Sequence, residues 1–198
     1  NLAASATLSV NALTGGVTAK VDASTLIALA GAVTVKANLE VFLDARTVAS
    51  VLQTGGSGAA AGFSIAQNYI GYDVDNIATQ ALGAIFGYSW GLTKTTYSVL
   101  GLVLNTGVNA IGVVAVEATN QAKLNSTVSS VAQNESNVMF GSSSSSAIGM
   151  VISSTKVATA VRAAIETTSG TQKVRGVGGV SVVALDVALI SANSRVYS

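Results

Sequence analysis

The 198-residue chain contains no histidine, no cysteine and no proline. Without histidine, it has neither the imidazole base of a catalytic triad nor imidazole ligands for a metal. Without cysteine, it forms no disulfide and no thiolate metal site. A chain without proline can donate its backbone N–H groups to a β-ladder at every position, which favours extended hydrogen-bonded sheet. We therefore expect a fold that depends on backbone pairing and packing.

Charge and aromatic residues are also scarce, at 10% and 5% of the chain, whereas roughly 25% of the residues of a typical globular domain are charged. Ten Lys/Arg and nine Asp/Glu are scattered singly. Nucleic-acid binding needs clustered cations, so we expect no nucleic-acid partner. The apolar run 97–116 is interrupted by Asn105, Asn109 and three glycines. It predicts buried strands around a turn rather than a membrane span.

What the chain has instead is small apolar residues, mostly alanine and valine, arranged in a repeat. The pattern V-x-V-x-A-x3-[VA]-x-[LI]-x-A occurs at 33–45 and 180–192, with a close copy at 114–126 and a looser one at 17–29. Its apolar positions alternate with the two-residue period of a β-strand. The three variable residues in the middle mark a place where the chain can bend. Each copy is therefore interpreted as a strand–corner–strand unit, or β-arch.

A second type of segment alternates with the arches. Residues 62–70 read GFSIAQNYI and residues 149–157 read GMVISSTKV, and both begin with glycine. Self-similarity of this kind is typical of architectures in which each unit buries its apolar face against its neighbours. The sequence therefore predicts one repetitive all-β unit over residues 1–198, a parallel β-solenoid-like stack of β-arches. An irregular insertion is expected at 75–108.

Several stretches resemble the repeats of giant secreted bacterial adhesin-like and filamentous-haemagglutinin-like proteins. They are AKLNSTVSSVAQNESNVMFGSSSSSAIGMVISSTKVATAVRAAI, SIAQNYIGYDVDNIATQALGAIFG and GGVSVVALDVALISANSRVYS. The resemblance implies a β-solenoid or related parallel stack that is exported and displayed outside the cell, with a ligand on a host or neighbouring cell. The chain departs from these repeats in being short. It also has Thr155 where the repeats have an asparagine, the place that Asn68 fills in the other segment.

Few residues are candidates for chemistry. Asp73 and Asp75 would share one face of a strand and could hold a cation such as Ca²⁺, although two solvated carboxylates are the more common outcome of such spacing. Asn125 and Asn134 each begin an N-x-[ST] sequence, the acceptor pattern for N-glycosylation. No cofactor is indicated.

These observations favour an extracellular structural protein without enzymatic activity, a subunit of a surface filament or an adhesin stalk. The alternative is a β-helical enzyme acting on polysaccharide, or a carbohydrate-binding surface module. Such enzymes need grouped carboxylates and aromatic residues, which are dispersed here.

Self-association is expected as well, because no charge precedes Lys20 and no proline blunts a sheet edge. We expect a head-to-tail homopolymer in which the N-terminal strand 1–13 takes part. The alternative fold is a pilin-like β-sandwich, in which strand 1–13 would be inserted into the next subunit.

Overall fold

The alternation of apolar and polar residues produces long β-strands. A computed structural model describes residues 2–54, 58–75, 83, 92–135, 145–168 and 170–197. Fourteen strands lie within these residues, and the fold is all-β with parallel sheets, as predicted. In chain order the strands are β1 (Leu2–Leu13), β2 (Gly16–Asp22), β3 (Thr25–Ala28), β4 (Val33–Thr54), β5 (Gly58–Ile70), β6 (Tyr72–Val74), β7 (Leu92–Lys94), β8 (Tyr97–Leu104), β9 (Gly107–Ala110), β10 (Val114–Glu135), β11 (Ser145–Val157), β12 (Thr159–Glu166), β13 (Val174–Gly176) and β14 (Val180–Tyr197).

Twelve of these strands form four parallel three-stranded sheets. Sheet A contains β1, β5 and β11; sheet B contains β2, β8 and β12; sheet C contains β3, β9 and β13; and sheet D contains β4, β10 and β14. The chain visits A, B, C and D in the same order three times, in passes that span 2–54, 58–135 and 145–197. The second pass supplies the central strand of every one of these sheets.

The sequence repeats pair with one another residue for residue. In sheet D, Val114 lies opposite Val33 on one side and Val180 on the other, so the copies at 33–45, 114–126 and 180–192 are in register. In sheet A, Gly149 lies opposite Gly62, so the two glycine-initiated segments are in register as well. The self-similarity of the sequence therefore follows from the pairing of successive passes.

The interpretation of these three copies as β-arches is wrong. Each lies inside one uninterrupted strand, β4, β10 or β14. Ala37 and Val41 are four positions apart, so Leu39 between them also points inward and the two-residue alternation continues. The middle position differs between the copies, with Leu39, Asn120 and Asp186 in one register, and this variation hides the alternation in the sequence.

The looser copy at 17–29 does turn a corner, but it belongs to other sheets. It runs through β2 and β3, and Ala23 between them has a positive φ of 47°. Val17 pairs with Val99 of β8, not with a residue of sheet D. Segment 17–29 is therefore not a fourth copy of the sheet D repeat.

The predicted insertion at 75–108 is too long. Residues 97–104 and 107–110 form β8 and β9, the central strands of sheets B and C. Asn105 forms the corner between these strands with a φ of 46°, in agreement with the buried strands around a turn predicted for 97–116. The inserted residues leave the sheets at Gly71 and return at Tyr97; 76–82 and 84–91 lie outside the described residues.

Backbone hydrogen bonds hold the two ends of this insertion together. The Gly71 N–H donates to the Leu13 carbonyl at 2.8 Å, and the N–H groups of Thr95 and Thr96 donate to the Gly71 carbonyl at 2.9 and 3.0 Å. A Cβ at Gly71 would lie 2.0 Å from the Ala158 carbonyl oxygen, and φ is +72°. Glycine is therefore required at this point. Just beyond it, β6 and β7 pair antiparallel.

The core lies between sheet D and the sheets that face it. Valine, leucine and tyrosine fill the space between D and B, in a cluster that includes Val99, Leu39 and Leu124. Alanine and serine, together with a few valines such as Val51 and Val128, fill the space between D and A. A Cβ at Gly62 would lie 2.7 Å from the Ser130 Oγ, so a larger residue there would displace that hydroxyl from its present position. The alanine-rich composition reflects this thin part of the core.

The alternative fold, a pilin-like β-sandwich, is contradicted by the direction of the strands. Such sandwiches consist of antiparallel sheets, whereas all pairs within sheets A to D are parallel. The strand at 1–13 pairs with β5 of the same chain from Leu2 to Leu13.

Replacing Val116 by Asp should cost several kcal/mol or prevent folding, because a carboxylate at this fully buried position would lose its hydration without gaining a partner. Replacing Lys123 by Asp on the outward face of the same strand should change the free energy of unfolding by no more than about 0.5 kcal/mol. Chemical denaturation followed by circular dichroism measures both. Equal tolerance at the two positions would contradict the inward and outward faces assigned to β10.

Candidate functional site

The two aspartates considered for cation binding lie at the base of the insertion. Asp73 is in β6 and Asp75 follows it, and both are exposed. The Thr93 hydroxyl donates to the Asp75 Oδ2 at 2.9 Å, across the β6–β7 pair. Within the described residues, no three residues among His, Cys, Asp and Glu are grouped so that they could hold a metal.

The glycosylation candidates lie along β10. Asn125 points outward and its Nδ2 donates to the Asp44 Oδ1 at 2.8 Å. Ser126, the next residue of the sequon, points inward and donates from Oγ to the Ala66 carbonyl at 3.2 Å. A glycan on Asn125 would therefore stand on the outer face of sheet D. Asn134 is near the end of β10, and its side chain lies outside the described residues.

A groove crosses this outer face because the second pass carries shorter side chains there than its neighbours. Its floor comes from β10 and its walls from β4 and β14, whose residues are in register across the sheet. The walls contain two arginines, Arg46 and Arg195, and no ion pair within the described residues involves either of them. The floor residues are Asn125, Thr127 and Ser129, and the walls include Arg46, Arg195 and Tyr197.

Asparagines form a ladder inside the fold, between sheets A and D. The Asn11 Nδ2 donates to the Asn68 Oδ1 at 2.9 Å and to the Asp44 carbonyl at 3.0 Å. The Asn68 Nδ2 donates to the Asn125 carbonyl at 2.7 Å, which repeats the second contact one pass later. Because Asp44 and Asn125 are register partners, each asparagine ties its sheet A strand to the sheet D strand of the same pass.

The ladder stops at the third pass. Thr155 is the register partner of Asn68, as the two glycine-initiated segments indicated. Its Oγ1 is buried and has no hydrogen-bond partner. A buried hydroxyl without a partner is costly, so Thr155 is the position in the ladder where a contact is missing.

The faces of sheet D are covered unequally. β4 packs against β1 and β5, and β10 packs against β5 and β11, so each lies opposite two strands of sheet A. β14 packs against β11, and the described residues supply no further sheet A strand beyond it. The inward side chains of β14 are consequently half exposed, with 47% for Val182, 49% for Ile190 and 47% for Val196, whereas Val116 and Leu124 of β10 are 0% and 1% exposed.

Sheet A has two strand edges, that of β11 beside this exposed face and that of β1 on the opposite side of the sheet. Within the described residues β1 and β11 each pair with β5 in sheet A and with no other strand. Strand edges with unpaired N–H and C=O groups are templates for further pairing. The inward face of β14 and the free edge of β11 together form what we call the third-pass face.

Comparison with family models, with curated proteins and with solved structures found no match to this chain. The described residues include no helix with the length and apolar character needed to cross a membrane.

Sequence reasoning missed the groove and the third-pass face. The groove depends on which residues of three strands are register partners across sheet D. The exposure of β14 depends on the offset between sheets A and D, because its sequence is as apolar as that of β4. One signal was present in the sequence. Thr155 stands where the other glycine-initiated segment has Asn68, and Thr155 lies on β11, whose free edge is part of the third-pass face.

Replacing Thr155 by Asn should extend the ladder, because the Asn68 Nδ2 has a second hydrogen that a new carbonyl oxygen can accept. We expect the free energy of unfolding to rise by about 1 kcal/mol. Thr155→Val, which removes the unpartnered hydroxyl at nearly constant shape, should leave stability unchanged or slightly higher. Thermal and chemical denaturation of the three proteins measure the effect; a destabilised Asn variant would contradict the ladder.

Proposed function

We propose that the protein is an extracellular structural protein whose parallel sheets form one β-solenoid, and that it associates end to end as the subunit of a surface filament or adhesin stalk. The observation that carries the proposal is the third-pass face, where an apolar inner surface lies beside an unpaired strand edge. Apolar surface and free backbone groups at one place favour the addition of another pass.

The opposite end supports the same proposal. β1 has a free edge on the side away from β5 and contains no charged residue. Contact between two different faces of identical subunits is head-to-tail and generates an open fibre when the rotation does not close. A subunit of this kind acts through its shape, which agrees with the scattered carboxylates and the absence of histidine. The resemblance to secreted adhesin-like repeats favours an extracellular location.

Replacing Ile190 by Asp should abolish end-to-end association. Ile190 points inward on β14 and is half exposed in the isolated chain, so the chain should still fold, but an added pass would bury the carboxylate without a partner. Leu189→Asp is the matched control, because Leu189 is 61% exposed on the outward face of the same strand. Negative-stain microscopy and sedimentation velocity report the assemblies, and circular dichroism reports folding.

Salt and truncation complete this test. Assemblies held by backbone hydrogen bonds and apolar contacts should persist at about 1 M salt, where the Debye length is only about 3 Å. Deletion of residues 1–13 should abolish them. A protein that stays monomeric at high concentration, or a truncated protein that still forms fibres, would contradict the proposal.

The groove on sheet D favours a second candidate function, the carbohydrate-binding surface module. Amide and hydroxyl groups on its floor suit sugar hydroxyls, and Tyr197 offers a ring for stacking. Arg46 and Arg195 make no ion pair within the described residues. They outnumber Asp44, the carboxylate that lines the same groove, and therefore favour an acidic sugar.

Arg195→Ala should weaken binding of a uronic-acid oligosaccharide about tenfold, because it removes a charge-assisted hydrogen bond. Lys123→Ala is the control, a cation on the same sheet face that does not line the groove. Isothermal titration calorimetry with the intact protein measures the dissociation constants. Equal losses in both variants, or no binding by the unmodified protein, would rule out this function.

A further inference from the structure

We infer that the third-pass face is covered by β1 of a second copy of this chain, which adds to β11 as a fourth parallel strand of sheet A, with Leu2 opposite Ser146 and Leu13 opposite Val157. The inference rests on the proposed end-to-end association and specifies its partner strand and register. It follows from the residues that already share register positions within one chain.

The register is fixed by the existing pairs of β5. Ala59 lies opposite Leu2 in β1 and opposite Ser146 in β11, so these two residues occupy equivalent positions in the first and third passes. A strand that continues sheet A beyond β11 must have, at each register position, a residue that packs beside the β11 residue at that position. In β1 the inward residues satisfy this at both ends: Ala3 is equivalent to Ala147, and Leu13 to Val157.

The other sheets are compatible with the same step. Continuation would place Val17 of the second copy beside Val161 in sheet B, since both are register partners of Val99. In sheet D it would place Val33 beside Val180, since both are register partners of Val114. A single placement of the second copy therefore brings valine beside valine in both sheet B and sheet D.

The offset between the sheets explains why β1 is the strand that is needed. Each sheet D strand of the first two passes lies between two sheet A strands, its own and that of the following pass. β14 has its own, β11, and an added β1 would take the second place. Ile190 would then be buried near Leu13 of the second copy, as its register partner Leu124 is buried in a cluster that includes Leu13 and Val157.

The same placement supplies the missing polar contact. Asn11 and Thr155 are both register partners of Asn68, so in the continued sheet Asn11 of the second copy follows Thr155. Within the chain, Asn11 of the first pass donates to the Oδ1 of Asn68 of the second pass, so the ladder residue of one pass donates to the asparagine of the following pass. The Thr155 hydroxyl, which has no partner in one chain, can donate to the Asn11 Oδ1 of the next.

Introduced cysteines test the register, because the chain has none of its own. Ser9 and Ser153 are equivalent positions, both partners of Ala66. Within one chain they are two strand spacings apart, about 9.6 Å, beyond the reach of a disulfide at about 7 Å. The variant Ser9→Cys with Ser153→Cys should therefore form a ladder of disulfide-linked oligomers on mild oxidation, resolved by non-reducing electrophoresis.

The matched control is Ser5→Cys with Ser153→Cys, in which the same chemistry is displaced by four residues, about 13 Å along the strand. It should remain largely uncross-linked, and each single-cysteine variant should give dimers at most. In the cysteine-free background, Thr155→Val should weaken association about fivefold in sedimentation velocity, because the contact with Asn11 is lost while the isolated chain keeps its stability.

The outcomes separate this inference from the function on which it rests. Fibres whose cysteines cross-link only in the Ser9–Ser153 pair support both. Fibres that cross-link equally in the control pair, or in neither, overturn the register and leave end-to-end association standing. A chain that stays monomeric at every concentration overturns both.

Discussion

Residue-for-residue parallel pairing between successive passes is the constraint on which the structure depends. Neighbouring strands lie about 4.8 Å apart, so each inward position must accept similar side chains at that spacing. Val33, Val114 and Val180 satisfy this with identical residues. The absence of proline, the low charge and the abundance of alanine and valine all follow, because each pass must fit the one beside it.

The same constraint decides where polar groups can be buried. Between sheets A and D, Gly62 lies against Ser130, whose Oγ would be 2.7 Å from a Cβ at that glycine. The Ser130 hydroxyl donates to the Gly62 carbonyl at 3.0 Å, and Asn68 donates to the carbonyl of Asn125 at 2.7 Å. The Ser130 and Asn68 side chains are thus satisfied by the backbone of the opposite sheet, and these hydrogen bonds tie the two layers together without ion pairs.

The sequence alone predicted the strand-rich class, the parallel pairing and the register, because the repeats at 33–45, 114–126 and 180–192 carry that register in their own spacing. It did not predict that these repeats are continuous strands, since Leu39, Asn120 and Asp186 hide the alternation at one position. The groove and the exposed face of β14 were out of reach as well. Both depend on how three passes are offset, a relation between distant residues that no local pattern encodes.

The backbone hydrogen bonds at Gly71, which join the two ends of the insertion, have a consequence for the length of the chain between β5 and β8. The Gly71 N–H bonds to the first pass through Leu13, and Tyr97 donates to the Ala158 carbonyl of the third pass at 2.8 Å. Sheets A and B are thereby connected before and after the inserted residues, and the pairing of β5 and β8 with their neighbours involves none of them. The connection between β5 and β8 can therefore change in length while every strand pair of sheets A and B stays in register.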